Sequence, residues 1–356
     1  MKRLPNLDVL RFFLASLVVI YHTSVFCRGR GLPFYDELPV FHKGVEAVYM
    51  FFILSGFLII RLIYKAKQRD AFSISKFYIR RILRIFPLYY LVLFFGFAYY
   101  HFILPQLNIP FEINYNLSDG LLLTVFFVPN IFTTLYDPGA IIQVLWSIGI
   151  EEQFYLFIAP LLFIIRKNWI LKALVLLTIV YFGVYHLNGF TFLRKFHFVY
   201  YFLFTGGIVA ILEERKQLEF LKSNTIIPIC SVVLVLIYFL TNWFDLQNLI
   251  LKNLIACIVL GLFVHTIACN NLGVIVKNRM LNYFGTISYG IYMYHVIIIN
   301  AVAFLFLKIE NKWFLNDVMT IVLINILTFV LTILIAHFSY KYMELRFLNL
   351  KNKFRE

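Results

Sequence analysis

The sequence predicts an all-α fold, that of a polytopic membrane protein with about ten transmembrane helices. Of its 356 residues, 62% are hydrophobic and only 14% are charged, which is too little polar surface for a soluble domain. The apolar residues also gather in runs of about 20, the length that an α-helix needs to cross roughly 30 Å of hydrocarbon. Although the net charge is +14, the basic residues lie mainly in short loops between these runs, which argues against nucleic acid as a partner.

Ten apolar runs are each long enough to form a membrane-spanning helix. The first follows Lys2 and Arg3, as a signal peptide would, but it continues for some twenty residues without a cleavage site of small residues, so we expect it to be retained. The runs cover residues 7–27, 45–64, 85–104, 146–165, 169–187, 198–213, 225–244, 249–270, 283–307 and 318–341.

An eleventh apolar stretch, residues 118–135, is shorter and is interrupted by Pro129 and Asn130. If it does not cross, ten helices place both termini in the cytoplasm, with 21 basic residues in the inside segments and seven in the outside loops. A crossing at 118–135 would reverse every later loop and violate the positive-inside rule. We therefore predict a re-entrant or interfacial segment at 118–135 and two cytoplasmic termini.

The first run contains three ionisable residues, Asp8, Arg11 and His22. Arg11 and His22 are eleven positions apart, so on a helix they share one face at a separation of about 16 Å. Asp8 lies one turn before Arg11 and can pair with it. Because such groups usually face a bundle interior or a wet cavity, we expect one polar stripe along this helix. A structural network between helices, or snorkelling of Asp8 and Arg11, is the alternative.

Two adjacent carboxylates, Glu151 and Glu152, interrupt the run 146–165. Adjacent helical residues point about 100° apart, so at most one of the two faces closely inward. In the ten-helix topology Glu151 and His22 each lie about 7 Å from the outer end of their helix. A carboxylate that orients a general-base histidine is one interpretation. A carboxylate that caps the N-terminus of its own helix is the other.

A dense cationic patch of Arg80, Arg81 and Arg84 stands before the third run. It either sets topology or binds phosphate groups, those of a nucleotide-like donor or of anionic lipids. His295, in the ninth run, is as readily a structural histidine as a catalytic one. The four cysteines contain no CxxC pair, and we predict no metal site.

Five stretches in chain order, "LDVLRFFLASLVVIYH", "FFILSGFLI", "RRILRIFPLYYL", "LWSIGIEEQFYL" and "ISYGIYMYH", resemble the acyltransferase 3 family, integral-membrane O-acyltransferases of bacterial envelope glycans. The most specific elements are Arg-x10-His at Arg11 and His22, RRxxR at Arg80–Arg84, and WSxxxEE at Trp146–Glu152. The chain resembles the stand-alone branch, because no SGNH hydrolase-like domain follows. It departs from the family at Glu344, which has no proline shortly after it.

The resemblance implies an integral-membrane acyltransferase domain over residues 1–343 and a short basic cytoplasmic tail at 344–356, in the bacterial cytoplasmic (inner) membrane. It implies that an acyl-CoA donor, acetyl-CoA by preference, acylates a hydroxyl of an extracytoplasmic or lipid-linked glycan. His22, Glu151 and Arg11 would be the catalytic residues, with His22 as general base or as acyl carrier. Arg80, Arg81 and Arg84 would hold the donor phosphates, and no metal would take part.

A transporter or flippase of lipid-linked sugars is the alternative function, since buried Arg, His and Glu also serve as proton relays. The sequence leaves open the acceptor, the choice between acetyl and succinyl, and the oligomeric state.

Overall fold

The computed structural model describes residues 4–269, 271–309 and 316–354, and these ranges contain helices but no β-strand. The all-α prediction is confirmed. Eight helical runs within the described residues are long and apolar enough to cross a membrane: Leu7–Gly29, Gly44–Gln68, Ile74–Gln106, Ala140–Ile164, Lys167–His186, Leu249–Ala268, Ser288–Lys308 and Asp317–Leu350. The protein is therefore a polytopic membrane protein.

The two remaining predicted spans fold differently. Residues 188–214 form a bent pair of helical segments, Asn188–Lys195 and Tyr200–Glu214, which makes a ninth span if the pair is one crossing. Ile226–Leu240 is apolar but has only 15 residues, a length of about 22 Å. By length and composition the described residues thus supply eight or nine spans and one shorter apolar helix.

We number the helices of seven residues or more along the chain. They are α1 Leu7–Gly29, α2 Gly44–Gln68, α3 Ile74–Ala98, α4 Leu117–Val125, α5 Pro129–Tyr136, α6 Trp146–Ile164, α7 Ile170–His186, α8 Tyr200–Glu214, α9 Ile226–Leu240, α10 Leu249–Ala268, α11 Arg279–Thr286, α12 Ser288–Ile309, α13 Asp317–Ser339 and α14 Leu345–Lys351. Shorter helical turns are Pro39–His42, Tyr99–Ile103, Leu104–Gln106, Ala140–Gln143, Lys167–Trp169, Asn188–Phe190, Thr191–Lys195, Glu219–Ser223, Tyr340–Glu344 and Asn352–Phe354.

The chain divides into two compact units. The first comprises the residues up to Leu58 and Thr205–Ser339, and the second comprises Ile59–Phe204 and the residues from Tyr340 onward. The predicted division into a domain at 1–343 and a tail at 344–356 stays a prediction, as does the cytoplasmic location of both termini. Four basic residues used in the charge count lie outside the described residues: Lys2, Arg3, Lys312 and Arg355.

In the first unit α1 packs against α11 and α12, and α12 packs against α13. Gly285 of α11 allows a close approach, since a Cβ atom there would lie 1.8 Å from the carbonyl oxygen of Asp8. Asn6 fixes the chain just before α1: its Nδ2 donates to the carbonyl of Val274 at 2.7 Å, and its Oδ1 accepts from the amide of Val276 at 2.9 Å. These contacts hold the polar start of α1 in a defined position.

In the second unit the stretch 118–135 is broken into α4 and α5, which have nine and eight residues. Phe127 adopts φ 59° at the break. Backbone groups freed inside a membrane protein need partners. Here the Gln153 Nε2 donates to the carbonyl of Phe127 at 2.7 Å, and the Tyr89 hydroxyl donates to that of Thr124, also at 2.7 Å. Neither helix is long enough to cross alone, in agreement with the prediction that 118–135 is not a span; its re-entrant or interfacial placement stays a prediction.

Candidate active site

The start of α1 carries the ion pair that the sequence spacing predicted. Arg11 Nη1 donates to Asp8 Oδ1 at 3.1 Å, one helical turn away. Both side chains are largely buried, so the pair is screened less than one on an exposed surface. Arg11 is therefore held near the beginning of the first helix, on the face predicted for it.

The predicted polar stripe from Arg11 to His22 is not continuous, and this expectation was wrong. On an α-helix, positions 15 and 18 lie on the same face as positions 11 and 22. Ala15 and Val18 occupy them and are 0% and 1% exposed. The face of α1 is polar at its two ends and apolar and packed over the roughly 16 Å between them.

The second polar residue on this face of α1, His22, lies against another histidine. The ring centroids of His22 and His295 are 5.1 Å apart, and the Tyr21 ring contacts His22 from another side at 5.0 Å. His295 comes from α12, which packs along α1. His22 forms no hydrogen bond to any residue in the described ranges. The structure therefore shows that His295 contacts His22. From the sequence alone, a structural role and a catalytic role for His295 are equally well supported.

The tautomer of His295 is set by its own helix. Its Nδ1 lies at hydrogen-bond distance from the carbonyl oxygen of Tyr292, an acceptor, so Nδ1 carries the proton. In the neutral ring Nε2 is then a lone-pair acceptor. His295 is 0% exposed, and its Nε2 has no hydrogen-bond partner among the described residues. A buried, unsatisfied acceptor costs stability, and such groups in native proteins are commonly functional.

The arginine patch lies within α3. Ser73 caps that helix, with its Oγ accepting from the amide of Lys76, so the helix begins at Ile74 and the arginines occupy its second and third turns. The sequence places them before the predicted span 85–104, but the helix begins eleven residues earlier than that span. Arg80 is buried, whereas Arg84 is exposed.

Aromatic rings surround the middle arginine. The guanidinium carbon of Arg81 lies 5.7 Å from the ring centroids of both Phe77 and Tyr155. Its Nε is buried and donates no hydrogen bond within the described chain. A planar guanidinium with a spare donor and aromatic neighbours is suited to an anionic, planar or phosphorylated ligand.

Glu151 and Glu152 occupy different environments on α6. Glu151 accepts a hydrogen bond from the Tyr155 hydroxyl at 2.9 Å. Glu152 is 5% exposed, its Oε1 has no hydrogen-bond partner in the described part of the chain, and it interacts electrostatically with Arg81. Glu152 is therefore the more buried carboxylate of the pair. The predicted role of Glu151, to orient His22, is untested and stays a prediction.

Comparisons with known proteins agree on one family. A family model described as an acyltransferase domain matches residues 4–337. A peptidoglycan O-acetyltransferase, OatA, of Listeria monocytogenes is 26% identical over 96% of this chain. A protein of Staphylococcus aureus strain COL with a provisional O-acetyltransferase name is 25% identical over 98% of it. A Haemophilus influenzae protein of uncharacterised function is 28% identical over 63% of the chain and 99% of its own length.

The lengths of these relatives differ. The chain spans 55% of the Listeria protein and 58% of the Staphylococcus protein. No solved structure matches it.

Proposed function

Since the chain belongs to the acyltransferase 3 family, we propose that it is an O-acetyltransferase that moves an acetyl group from acetyl-CoA to a glycan hydroxyl. The observation that carries the proposal is the contact of His22 with the buried His295 on two packed helices of a membrane protein. An ionisable pair inside a membrane protein is expensive and marks a site of function by default. A neutral imidazole is also the side chain best suited to proton transfer near neutral pH.

In this proposal His22 is the general base and His295 is a positioning residue. One ring nitrogen of His22 takes the proton of the acceptor hydroxyl as the hydroxyl oxygen attacks the thioester carbonyl. The carbon–sulfur bond then breaks, and the proton passes from His22 to the departing CoA thiolate. The other His22 nitrogen donates to Nε2 of His295, which favours the imidazolium that forms transiently. The products are an acetyl ester and CoA.

The geometry supports such a pair. Each imidazole nitrogen lies about 1.1 Å from its ring centroid, so facing nitrogens of two rings 5.1 Å apart are about 2.9 Å from one another, a hydrogen-bond distance. The two rings now stand at 49° without a hydrogen bond. In the proposed mechanism the His22 ring turns about its terminal torsion, which is soft in histidine, so that one of its nitrogens faces Nε2 of His295.

The acyl-carrier version of the mechanism differs in one step. His22 itself attacks the thioester and holds the acetyl group before the acceptor hydroxyl displaces it. The two versions are separated by the first turnover: a carrier releases one equivalent of CoA per protein before any acceptor is added, whereas a general base releases none.

The arginine patch is proposed to bind the phosphates of the donor. Arg81 has an unsatisfied Nε in an aromatic environment, and guanidinium groups bind phosphate oxygens in pairs. Replacing Arg81 with Lys should raise the KM for acetyl-CoA and leave kcat nearly unchanged, because the interaction is equal in the ground and transition states. Lys76, an exposed cation on the same helix, supplies the control variant Lys76→Gln. A KM unchanged by Arg81→Lys would contradict the phosphate role.

The remaining parts of the proposal concern location and acceptor. The distribution of basic residues supports the cytoplasmic membrane with both termini inside, so the donor would approach from the cytoplasm. The printed name of the Listeria relative supports an envelope glycan as the acceptor, lipid-linked or already outside the membrane. We assign no metal to the transfer itself.

One observation favours the second candidate, a transporter or flippase. The break between α4 and α5 is a discontinuous helix of the kind that transporters use to form binding sites. Purified protein in lipid vesicles separates the two functions. Acceptor-dependent release of CoA from acetyl-CoA supports the transferase, whereas movement of a labelled lipid-linked sugar between leaflets without release of CoA supports the flippase.

A further inference from the structure

The C-terminal ends of α8 and α10 bring together three side chains that share no sequence motif. Glu213 lies at the end of α8, and His265 and Cys269 lie one turn apart at the end of α10, where the Cys269 amide donates to the His265 carbonyl at 2.9 Å. One possible ligand atom from each of the three residues lies within 4.8 Å of the other two. All three belong to the first compact unit.

The histidine of this cluster is fully enclosed. His265 is 1% exposed, its Nε2 lies 2.8 Å from Glu213 Oε2, and its Nδ1 lies 3.1 Å from Asn271 Nδ2. With Asn271 Nδ2 facing Nδ1, the ring donates from Nε2 to the carboxylate and accepts at Nδ1 from the amide. This arrangement satisfies the ring, but it leaves Asn271 Oδ1 buried with no hydrogen-bond partner in the described residues.

The Asn271 amide can also be placed the other way round. The two ends of an amide group are assigned from the hydrogen-bond network, and a turn by 180° exchanges the positions of Oδ1 and Nδ2. Asn271 Oδ1 then accepts a hydrogen bond from Nδ1 of His265, and the Nε2 lone pair faces the Glu213 carboxylate. In this tautomer Nε2 and Glu213 Oε2, 2.8 Å apart, can both serve as ligands of one metal ion.

The thiol of Cys269 indicates which metal the cluster would bind. A carboxylate, an imidazole and a thiol whose ligand atoms lie within 4.8 Å of one another are a ligand set for a zinc-class transition metal. Magnesium and calcium prefer oxygen ligands and would not select it. Asn271 would be the outer partner that holds the histidine in the ligating tautomer, an arrangement usual at metal sites.

We propose that Glu213, His265 and Cys269 bind one Zn²⁺ ion, with a fourth position left for water or another ligand. Ligand atoms around a tetrahedral zinc ion are roughly 3.4–3.6 Å apart, given metal–ligand bonds of about 2.0–2.3 Å. The 2.8 Å pair must therefore widen by about 0.6 Å, and the widest pair must close by about 1.3 Å at most. Binding releases the thiol proton, because the thiolate is the ligand.

The test is the metal content of the full-length protein, purified in detergent with a non-histidine affinity tag and without chelators. We expect about one zinc per chain in the wild type, because protein zinc sites bind their ion tightly near neutral pH. Cys269→Ser and His265→Gln should lose it. Cys230→Ser removes a thiol from the exposed side of α9 and is the matched control that should keep zinc.

A second measurement distinguishes a variant that has lost a metal ligand from a variant that has misfolded. Cobalt added to metal-free wild-type protein should give a near-ultraviolet thiolate charge-transfer band, which Cys269→Ser abolishes while it elutes as a single species on gel filtration. Asn271→Ala should weaken cobalt binding by about 10- to 100-fold. Wild-type protein that carries no zinc and binds neither zinc nor cobalt would overturn the proposal. These readouts measure metal, so they stand apart from the transferase proposal.

Discussion

Replacing His295 with asparagine or with glutamine separates the two nitrogens of this ring. The asparagine amide nitrogen overlays Nδ1 and can still donate to the Tyr292 carbonyl, but it leaves no atom at the position of Nε2. Glutamine reaches that position with an amide oxygen, a hydrogen-bond acceptor. If His295 acts by accepting a hydrogen bond from His22, glutamine should retain much of the activity and asparagine little.

The size of the effect follows from burial. His295 is 0% exposed and His22 has no hydrogen bond in the described chain, so without Nε2 the charged form of His22 has an unsatisfied donor. An unsatisfied buried donor costs about 1–3 kcal/mol. At about 1.36 kcal/mol per tenfold change in rate, kcat should fall by about 5- to 160-fold in His295→Asn.

The assay is release of CoA from acetyl-CoA by purified protein with acceptor present, as kcat and KM for each variant. His186 supplies a control, because it too has Nδ1 bonded to a carbonyl of its own helix, that of Phe182 at 2.7 Å. His186→Asn should keep wild-type activity. Wild-type activity in His295→Asn would refute the pairing. Equal losses of kcat in His295→Asn and His295→Gln would show that His295 acts only through packing.

Two predictions concern the stability of the first unit, measured as thermal unfolding in detergent. Gly285→Ala must push a backbone carbonyl of α1 at least 1.2 Å away, from 1.8 Å to the 3.0 Å that real Cβ atoms keep, and should destabilise by about 1–3 kcal/mol. Gly183→Ala should not destabilise the protein, because a Cβ atom at Gly183 meets no atom within 4 Å. Equal destabilisation by the two substitutions would contradict the close approach of Gly285 to α1. Burial alone would raise the pKa of Asp245, but hydrogen bonds from Lys43 and Lys252, at 2.6 and 3.0 Å, outweigh it and hold that pKa below its usual range. This contribution to stability is present above pH about 4 and is lost as the pH falls through the lowered pKa. Asp245→Asn should therefore destabilise at pH 7, with a difference from wild type that shrinks in acid; a difference independent of pH would contradict this.

The helical fold was predictable because it follows from local properties of the chain. Apolar runs of membrane length predicted nearly all the spans. The helix-breaking Pro129 predicted the interruption near residue 128. The i,i+3 spacing was enough for the Asp8–Arg11 pair. The sequence predicts a full span over 225–244, whereas the helix covers only Ile226–Leu240. Hydropathy does not show where an apolar run stops being helical.

The site was predictable only in part, because its contacts are between distant residues. The rule of 100° per residue placed Arg11 and His22 on one face, but the stripe failed at Ala15 and Val18, which the sequence already showed as apolar. No local signal joins His22 to His295, since that contact depends on how α12 packs on α1. His265 and Glu213 are likewise 52 positions apart, beyond the reach of any ligand-spacing motif.

The most direct test of the account is transfer of labelled acetyl from acetyl-CoA to an envelope glycan by the purified protein in lipid vesicles, wild type against His22→Ala. We expect labelled glycan and an equal amount of free CoA from the wild type, and neither from a variant that inserts normally. Undiminished transfer by His22→Ala would contradict the proposed chemistry.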